Sequence, residues 1–449
     1  MNVLFINPPQ SEPRDNSYIY PLGIASIISF LEENGYHPKF LEMFDFFESA
    51  DLTNILLRLS PDIIGITLYS DNRFNALKLI SVIKEINRDF VIIIGGHHAT
   101  FMYEQILLNY PVDVVVLGEG EITFLELVRC FEKKESLERI DGIAYINKNR
   151  QVIKTPFRRL IIDLNSLPMP AYHHFDLKKK NCIQVVFSRG CPFKCIFCSE
   201  SSFWNHKYRV RNIKKSVDEI EFLSKNYGIK VFDIYDAIFS INSDRINEFC
   251  EEMIKRRINV EWGARLRVDN VTKNNLTLLK KANCVGISFG VESGSQKILN
   301  HINKKISVKQ IQKTFRMTHD VGMKAYTSIM VGNPGESLKS LFDTDSLLKK
   351  IKPYKTDVIG TKIYPGTKLY CLAKDKGIIE DSCWLKDESV PRYTESFNNN
   401  TIKFYCRLIK MNQFPTNISR WKIYFFQVSY IFYYLFNNFF VKLKKIIKI

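Results

Sequence analysis

Cys182-Ile-Gln-Val-Val-Phe-Ser188, followed at once by Arg189-Gly190-Cys191-Pro192-Phe193-Lys194-Cys195-Ile196-Phe197-Cys198, decides how this chain of 449 residues is read. The first part is an apolar run of strand type, rich in β-branched residues. The second is a short loop carrying three cysteines at i, i+4 and i+7, able to curl its sulfurs around one metal centre. A structural zinc asks for four closed ligands, commonly two CxxC pairs, and no second pair lies nearby. Three thiolates suit a four-iron cluster with one iron left open to a non-protein ligand. A zinc site, or three unlinked cysteines in a turn, are the rival readings.

Working outward from that loop, strand-type runs recur downstream at Val231–Tyr235, Val260–Arg265, Gly286–Gly290, Ala325–Val331 and Asp357–Ile363, with helical patterns between them. With Cys182–Ser188 they make six strand–helix units, which predict a partial (β/α)6 parallel barrel with its chemistry at the carboxyl ends of the strands. Upstream, Val3–Ile6, His37–Leu41, Ile63–Leu68, Phe90–Ile94 and Val114–Leu117 alternate with helical stretches. Near-continuous apolar strands of that kind predict an N-terminal doubly wound, Rossmann-like parallel sheet, which binds ligands outside its strand ends. Glycine and polar residues cluster at those ends: Thr67, Gly95, Gly96, His97, Gly118 and Glu119. The expected organisation is an α/β chain with a nucleotide-type domain at 1–135, a linker at 136–180, a barrel at 181–395 and a helical extension at 396–449. The linker holds a hairpin at Ile143–Ile153.

Composition narrows the function classes. The chain is 45% hydrophobic and 25% charged, which excludes a disordered or fibrous protein. Ten cysteines are too dilute for a disulfide scaffold, and the N-terminus lacks the basic region of a signal peptide, so a reducing cytoplasm is expected. The net charge is +17, but the last 54 residues contribute +9 of it, with no Asp or Glu among them. A globally basic nucleic-acid binder is therefore a poor reading. Within Trp421–Phe440, 11 of 20 residues are aromatic, flanked by Lys and Arg. The tail is read as a helix packed on the barrel, with a helix lying against the inner face of the membrane as the next reading. A true membrane span is the third.

The CxxxCxxC loop after a first barrel strand resembles the radical S-adenosylmethionine enzymes. The resemblance implies that Cys191, Cys195 and Cys198 ligate a 4Fe–4S cluster whose open iron chelates S-adenosylmethionine. An external one-electron reductant then drives its cleavage to a 5′-deoxyadenosyl radical. It further implies that Phe197 packs on the adenine, that Glu292 and Ser293 of Gly290–Ser295 approach the ribose or methionine, and that Asp236 and Arg267 hold the methionine end. Pro21-Leu22-Gly23, Gly95–Thr100 and Gly118–Glu121 resemble segments of the cobalamin-dependent subclass, which makes the N-terminal domain a cobalamin carrier. The Asp-x-His-x-x-Gly motif, whose histidine ligates cobalt, is absent, so His97 and His98 are expected not to ligate it. The implied reaction is transfer of a methyl group, through methylcobalamin, to an unactivated carbon of a small-molecule or lipid-like substrate. Oxidative cyclisation or rearrangement is the alternative, and a non-catalytic cobalamin-binding redox protein a distant one. Methylthiotransfer would need a second cluster from N-terminal cysteines, and the first cysteine is Cys130. Phe404-Tyr405-Cys406-Arg407 resembles an element seen after the barrel in relatives acting on lipids and tetrapyrroles.

Overall fold

The computed structural model describes residues 1–9, 20–43, 49–177, 182–386 and 389–411. Its first sheet contains β1 (Val3–Asn7), β2 (Lys39–Glu42), β3 (Ile63–Thr67), β4 (Val91–Gly95), β5 (Val114–Val116), β6 (Ile143–Ile146) and β7 (Val152–Lys154), in the spatial order β2-β1-β3-β4-β5-β6-β7. The first five run parallel. β1 and β3 are buried at every position, because helices cover both faces and leave no side of these strands to water. The chain leaves β1 in both directions, so the switch point of the sheet lies at the carboxyl ends of β1 and β3.

The hairpin expected inside the linker belongs to this sheet. β6 pairs antiparallel with β5, and β7 with β6, so a two-stranded ribbon whose Ile143, Ala144 and Tyr145 are buried caps an edge that would otherwise offer unpaired backbone.

The second sheet is the expected six-strand partial barrel. It comprises β8 (Ile183–Val185), β11 (Val231–Ile234), β12 (Glu261–Leu266), β13 (Cys284–Glu292), β14 (Lys324–Val331) and β15 (Lys355–Gly360), all parallel and adjacent in chain order. Between β8 and β11 a short antiparallel pair, β9 (Ser188–Arg189) and β10 (Arg209–Val210), frames the cysteine loop. β15 is covered by the helix Asn399–Lys410, whose Ile402, Phe404, Tyr405 and Ile409 are buried. Phe404 and Tyr405 are therefore barrel packing and give no information about substrate. The aromatic segment Trp421–Phe440 lies outside the described residues; among those described, no helix is long and apolar enough to cross a membrane.

Candidate active site

Gly190 starts the cysteine loop with φ +86°, and a Cβ there would lie 2.0 Å from the Lys207 carbonyl oxygen, so only glycine lets the chain turn off β9 beside Trp204. The loop is then tied down through its backbone. Ile196 N donates to Ile302 O at 3.1 Å, Leu369 N donates to Ile196 O at 2.8 Å, and Asn303 Nδ2 donates to Lys194 O at 2.6 Å. Cys191, Cys195 and Cys198 are free and half-buried. Burial pushes all three thiols up, Cys198 to about 12, so they ionise only for a cation that offsets the desolvation. Their sulfurs are not gathered within 4.8 Å of one another. The donors of a single tetrahedral zinc thiolate site would sit about 3.8 Å apart. The wider spread suits a multi-iron cluster.

A cavity of about 1280 Å³ lies between the carboxyl ends of the two sheets. On the first sheet it is lined by Asn7, Thr67, Tyr69, Gly95, Gly96, His97, Gly118 and Glu119, and on the second by Ser188, Gly190, Glu200, Tyr235, Asp236 and Arg265. Gly96 has φ +110°, with Leu68 O only 2.7 Å from where a Cβ would stand. At Gly23 and Gly118 a Cβ would meet no protein atom within 4 Å. These two glycines keep open space at the cavity wall, as a broad, flat ligand requires.

The barrel end supplies charged groups. β13 is bulged at Gly290–Glu292, which throws Glu292 into a left-handed conformation at φ +65°. Its Oε1 accepts from Lys304 Nζ at 2.9 Å and its Oε2 from Ser328 Oγ at 3.3 Å. Burial alone would lower the Lys304 pKa, but Glu292 and the Cys195 sulfur raise it. Lys304 Nζ also lies 5.9 Å from the Phe197 ring centroid, placing the pair beside the cysteine loop. Asp236 is 1% exposed; Oδ1 accepts from Phe187 N at 2.7 Å and Ser188 N at 3.1 Å, while Oδ2 has no partner. Burial outweighs those two donors and pushes its carboxyl up to about 7. Ser293 points away from the cavity, its Oγ 3.3 Å from Thr344 Oγ1.

The comparisons agree with this geometry. Residues 185–348 match the Radical SAM superfamily model, and residues 15–128 match the B12 binding domain model. An uncharacterized methyltransferase of Pyrococcus horikoshii is 30% identical over 374 residues, covering 82% of this chain and 81% of that protein. The chain belongs to the cobalamin-dependent radical S-adenosylmethionine enzymes. The anaerobic magnesium-protoporphyrin IX monomethyl ester cyclase of Rubrivivax gelatinosus is 32% identical over 372 residues, covering 79% of this chain and 66% of the cyclase. The solved radical S-adenosylmethionine methyltransferase TsrM of Kitasatospora setae, holding cobalamin and a 4Fe–4S cluster, shares the fold at a TM-score of 0.71 and 17% identity, over 84% of this chain and 75% of that one.

For such an enzyme the cofactors are a 4Fe–4S cluster, S-adenosylmethionine and cobalamin, and this chain's residues fit them: three spread thiols, an orphaned Asp236 oxygen, and glycines facing open space. Three expected cofactor contacts, Ser293, Glu119 and Arg267, are engaged by protein groups instead. Glu119 lines the cavity, but both its oxygens are occupied. Oε1 accepts from Arg189 Nη1 at 2.8 Å and Arg209 Nη1 at 2.9 Å, and Oε2 from Arg209 Nη1 and Ile161 N, each at 2.8 Å. With Glu121 Oε1 accepting from Arg189 Nη2 at 2.5 Å, it docks β9 and β10 onto the first sheet. Arg267 is engaged by protein: it is bidentate to Asp269 at 2.9 Å, donates to Lys304 O, and lies 3.6 Å over the Phe193 ring of the cysteine loop. It positions the cysteine loop from below.

His97 and His98 are likewise committed to protein. His97 Nε2 faces Glu200 Oε1 at 3.1 Å and its ring stacks on Phe203 at 3.9 Å, while His98 Nδ1 lies 2.9 Å from Ser70 Oγ. Burial and then Arg73 lower His98 to about 3, so it is neutral. Sequence reasoning missed Arg189, Arg209, Glu200 and Lys304. The first three pair across 65 residues or more, which no local pattern shows, whereas Lys304 stands 12 residues from Glu292 inside an unremarked polar stretch.

Proposed function

We propose that this enzyme methylates an unactivated carbon of a small-molecule or lipid-like substrate bound between the two sheets. The observation that carries the reading is the shared cavity: one space is walled by the glycine edge of the first sheet and by the mouth of the barrel that holds the thiol loop. The methyltransferase similar over four-fifths of both chains supports it.

Bound there, the cofactors supply one-electron cleavage of a sulfonium and a transferable methyl group. The chain supplies placement and exclusion of water. Cys191, Cys195 and Cys198 hold the cluster; Phe197 packs the adenine; the unpartnered Oδ2 of Asp236 accepts the methionine ammonium; and Glu292, fixed by Lys304, faces the ribose. Thr67, Gly95, Gly96 and Gly118 would bring backbone close to the corrin, and the His97 ring, stacked on Phe203 at 3.9 Å, would stand at the edge of that space. Arg265, paired with Asp233 and stacked 3.8 Å over Tyr235, lines the substrate space. For the tail, the charge pattern supports contact with anionic lipid at the membrane's inner face, tested by flotation of full-length and 1–411 protein with anionic vesicles.

Oxidative cyclisation is the second reading, supported by the similarity to the cyclase. Anaerobic reconstitution with cobalamin, reductant, host extract and methyl-labelled S-adenosylmethionine separates the two. Methylation gives 5′-deoxyadenosine together with a carbon-bound label; cyclisation gives 5′-deoxyadenosine and an unlabelled, oxidised product.

A further inference from the structure

We propose that Glu32, His173 and His174 form a second metal site, for a divalent transition ion of the zinc type, independent of the cysteine loop in chemistry. Glu32 ends the helix Leu22–Glu33 on the first sheet, and the two histidines occupy the short turn Tyr172–His174 that leads towards the barrel. Both Nε2 atoms lie 3.0 Å from the same oxygen, Glu32 Oε1, and all three ligand atoms fall within 4.8 Å of one another. The imidazole rings are 4.5 Å apart.

The donor set and its spacing both point to a metal. A tetrahedral zinc with bonds of about 2.0–2.1 Å sets neighbouring donors about 3.3 Å apart, so two of the three edges need to move only a few tenths of an ångström. Two imidazoles and one carboxylate are the borderline ligands that zinc and its neighbours favour over magnesium or calcium. The half-exposed position leaves room for the fourth ligand, a water. Each Nε2 binds through its lone pair, so any proton it donates to Glu32 passes to solvent as the metal takes its place.

The ligands are also held in place beforehand. Ala171 N donates to Ala25 O at 3.0 Å and His174 N to Ala171 O at 3.2 Å, locking the turn onto the helix that carries Glu32. Tyr172, between them, is 1% exposed and donates its hydroxyl to Glu219 Oε1 at 2.6 Å on the barrel helix Ile213–Tyr227. An ion here therefore staples the connector at the point where it bridges the two sheets, and so stabilises their relative placement.

The test uses cluster-loaded protein freed of zinc, titrated with zinc alone, with metal content after gel filtration and zinc K-edge absorption as readouts. Neither iron nor cobalt interferes at that edge. The expected result is one zinc per chain with an oxygen and nitrogen shell at about 2.0–2.1 Å, no sulfur at about 2.3 Å, and at least a tenfold loss of affinity in H173A/H174A. Because the His174 side chain is mostly enclosed, H173N, altering only the 58%-exposed imidazole, serves as the second variant. It should also weaken zinc while far-ultraviolet dichroism and cluster absorbance stay at wild type. No retained zinc, a sulfur shell, or one equivalent bound undiminished by both variants overturns the proposal.

Discussion

At the ends of β3, β4 and β5 the chain meets the cavity with backbone: Gly95, Gly96 and Gly118, with Glu119 and Glu121 turned into ion pairs with Arg189 and Arg209. At the ends of β8, β11 and β13 it meets the same cavity, or the loop beside it, with side chains: three thiols, the orphaned Asp236 carboxylate, and Glu292 with Lys304. Both regions are parallel sheets and both use the carboxyl ends of their strands. They differ in what their ligands ask of them. A large flat macrocycle is held by area and close approach, so the first sheet removes side chains. A cluster and a charged sulfonium are held by bonds and charge, so the barrel supplies donors at fixed points.

The contrast predicts that damage to the two regions separates cleanly. The largest effect belongs to the barrel. Cys195→Ala removes one of the three thiols proposed to hold the cluster, and cleavage of S-adenosylmethionine should fall by at least about 10⁴-fold, roughly 5.5 kcal/mol of barrier. Iron and acid-labile sulfide, measured on the anaerobic protein, should fall with it while cobalamin uptake persists. Loss of cobalamin uptake as well would show that the two halves are one binding unit.

Next is the contact that joins them. Glu119→Gln strips the charge from an anion buried between Arg189 and Arg209, leaving Arg209 without its carboxylate in a site of low dielectric while Arg189 keeps Glu121. Breaking such a buried pair costs about 3–5 kcal/mol, which calorimetry or denaturant titration would register. The paired change Glu119→Gln with Arg209→Met should recover part of it, because the uncompensated charge then disappears.

Asp236 sharpens the comparison on the barrel side through pH. Its carboxyl titrates at about 7 in the fold against an ordinary 3.8, so the folded protein keeps a proton that the unfolded chain has already released. The unfolded state then binds fewer protons across that window, and stability falls as pH rises from about 4 to about 7. At about 1.4 kcal/mol per unit the loss is on the order of 2–4 kcal/mol. Asp236→Asn should flatten the pH profile of unfolding. The same change should weaken S-adenosylmethionine at least tenfold under the proposal that the unpartnered Oδ2 receives the methionine ammonium.

How far the sequence shows these features depends on range. Short apolar runs locate β1, β3 and β4 within a residue or two, because burial on both faces demands unbroken apolar strands. The CxxxCxxC spacing shows from local sequence alone that three thiols share one short loop. The roles of Glu119 and Arg267 are not legible. A glutamate in Gly118–Glu121 reads as a ligand contact until Arg189 and Arg209, 70 and 90 residues on, are seen to consume it. Arg267 reads as an anion clamp until Asp269 is found bidentate on it and Phe193 beneath it. The Ile143–Ile153 hairpin was visible as a hairpin, but its partner strand was not, since nothing in a ribbon's own sequence says which edge it caps.

The smallest predicted effect tests the backbone side directly. Gly96→Ala places a Cβ 2.7 Å from the Leu68 carbonyl at φ +110°, a region alanine enters at a cost of about 1–3 kcal/mol. The clash requires the end of β4 or Leu68 to shift, at a residue that lines the cavity. Gly118→Ala, whose Cβ meets no protein atom, carries its own left-handed strain at φ +84° but produces no such clash. Both variants should lower cobalamin affinity, measured by equilibrium dialysis, with iron content and S-adenosylmethionine binding unchanged. Gly96→Ala should lose more stability and Gly118→Ala more cobalamin, because one methyl strikes protein and the other stands where the ligand does. Equal losses in the two would mean that backbone strain alone, and not space reserved for the macrocycle, accounts for the glycines on this edge.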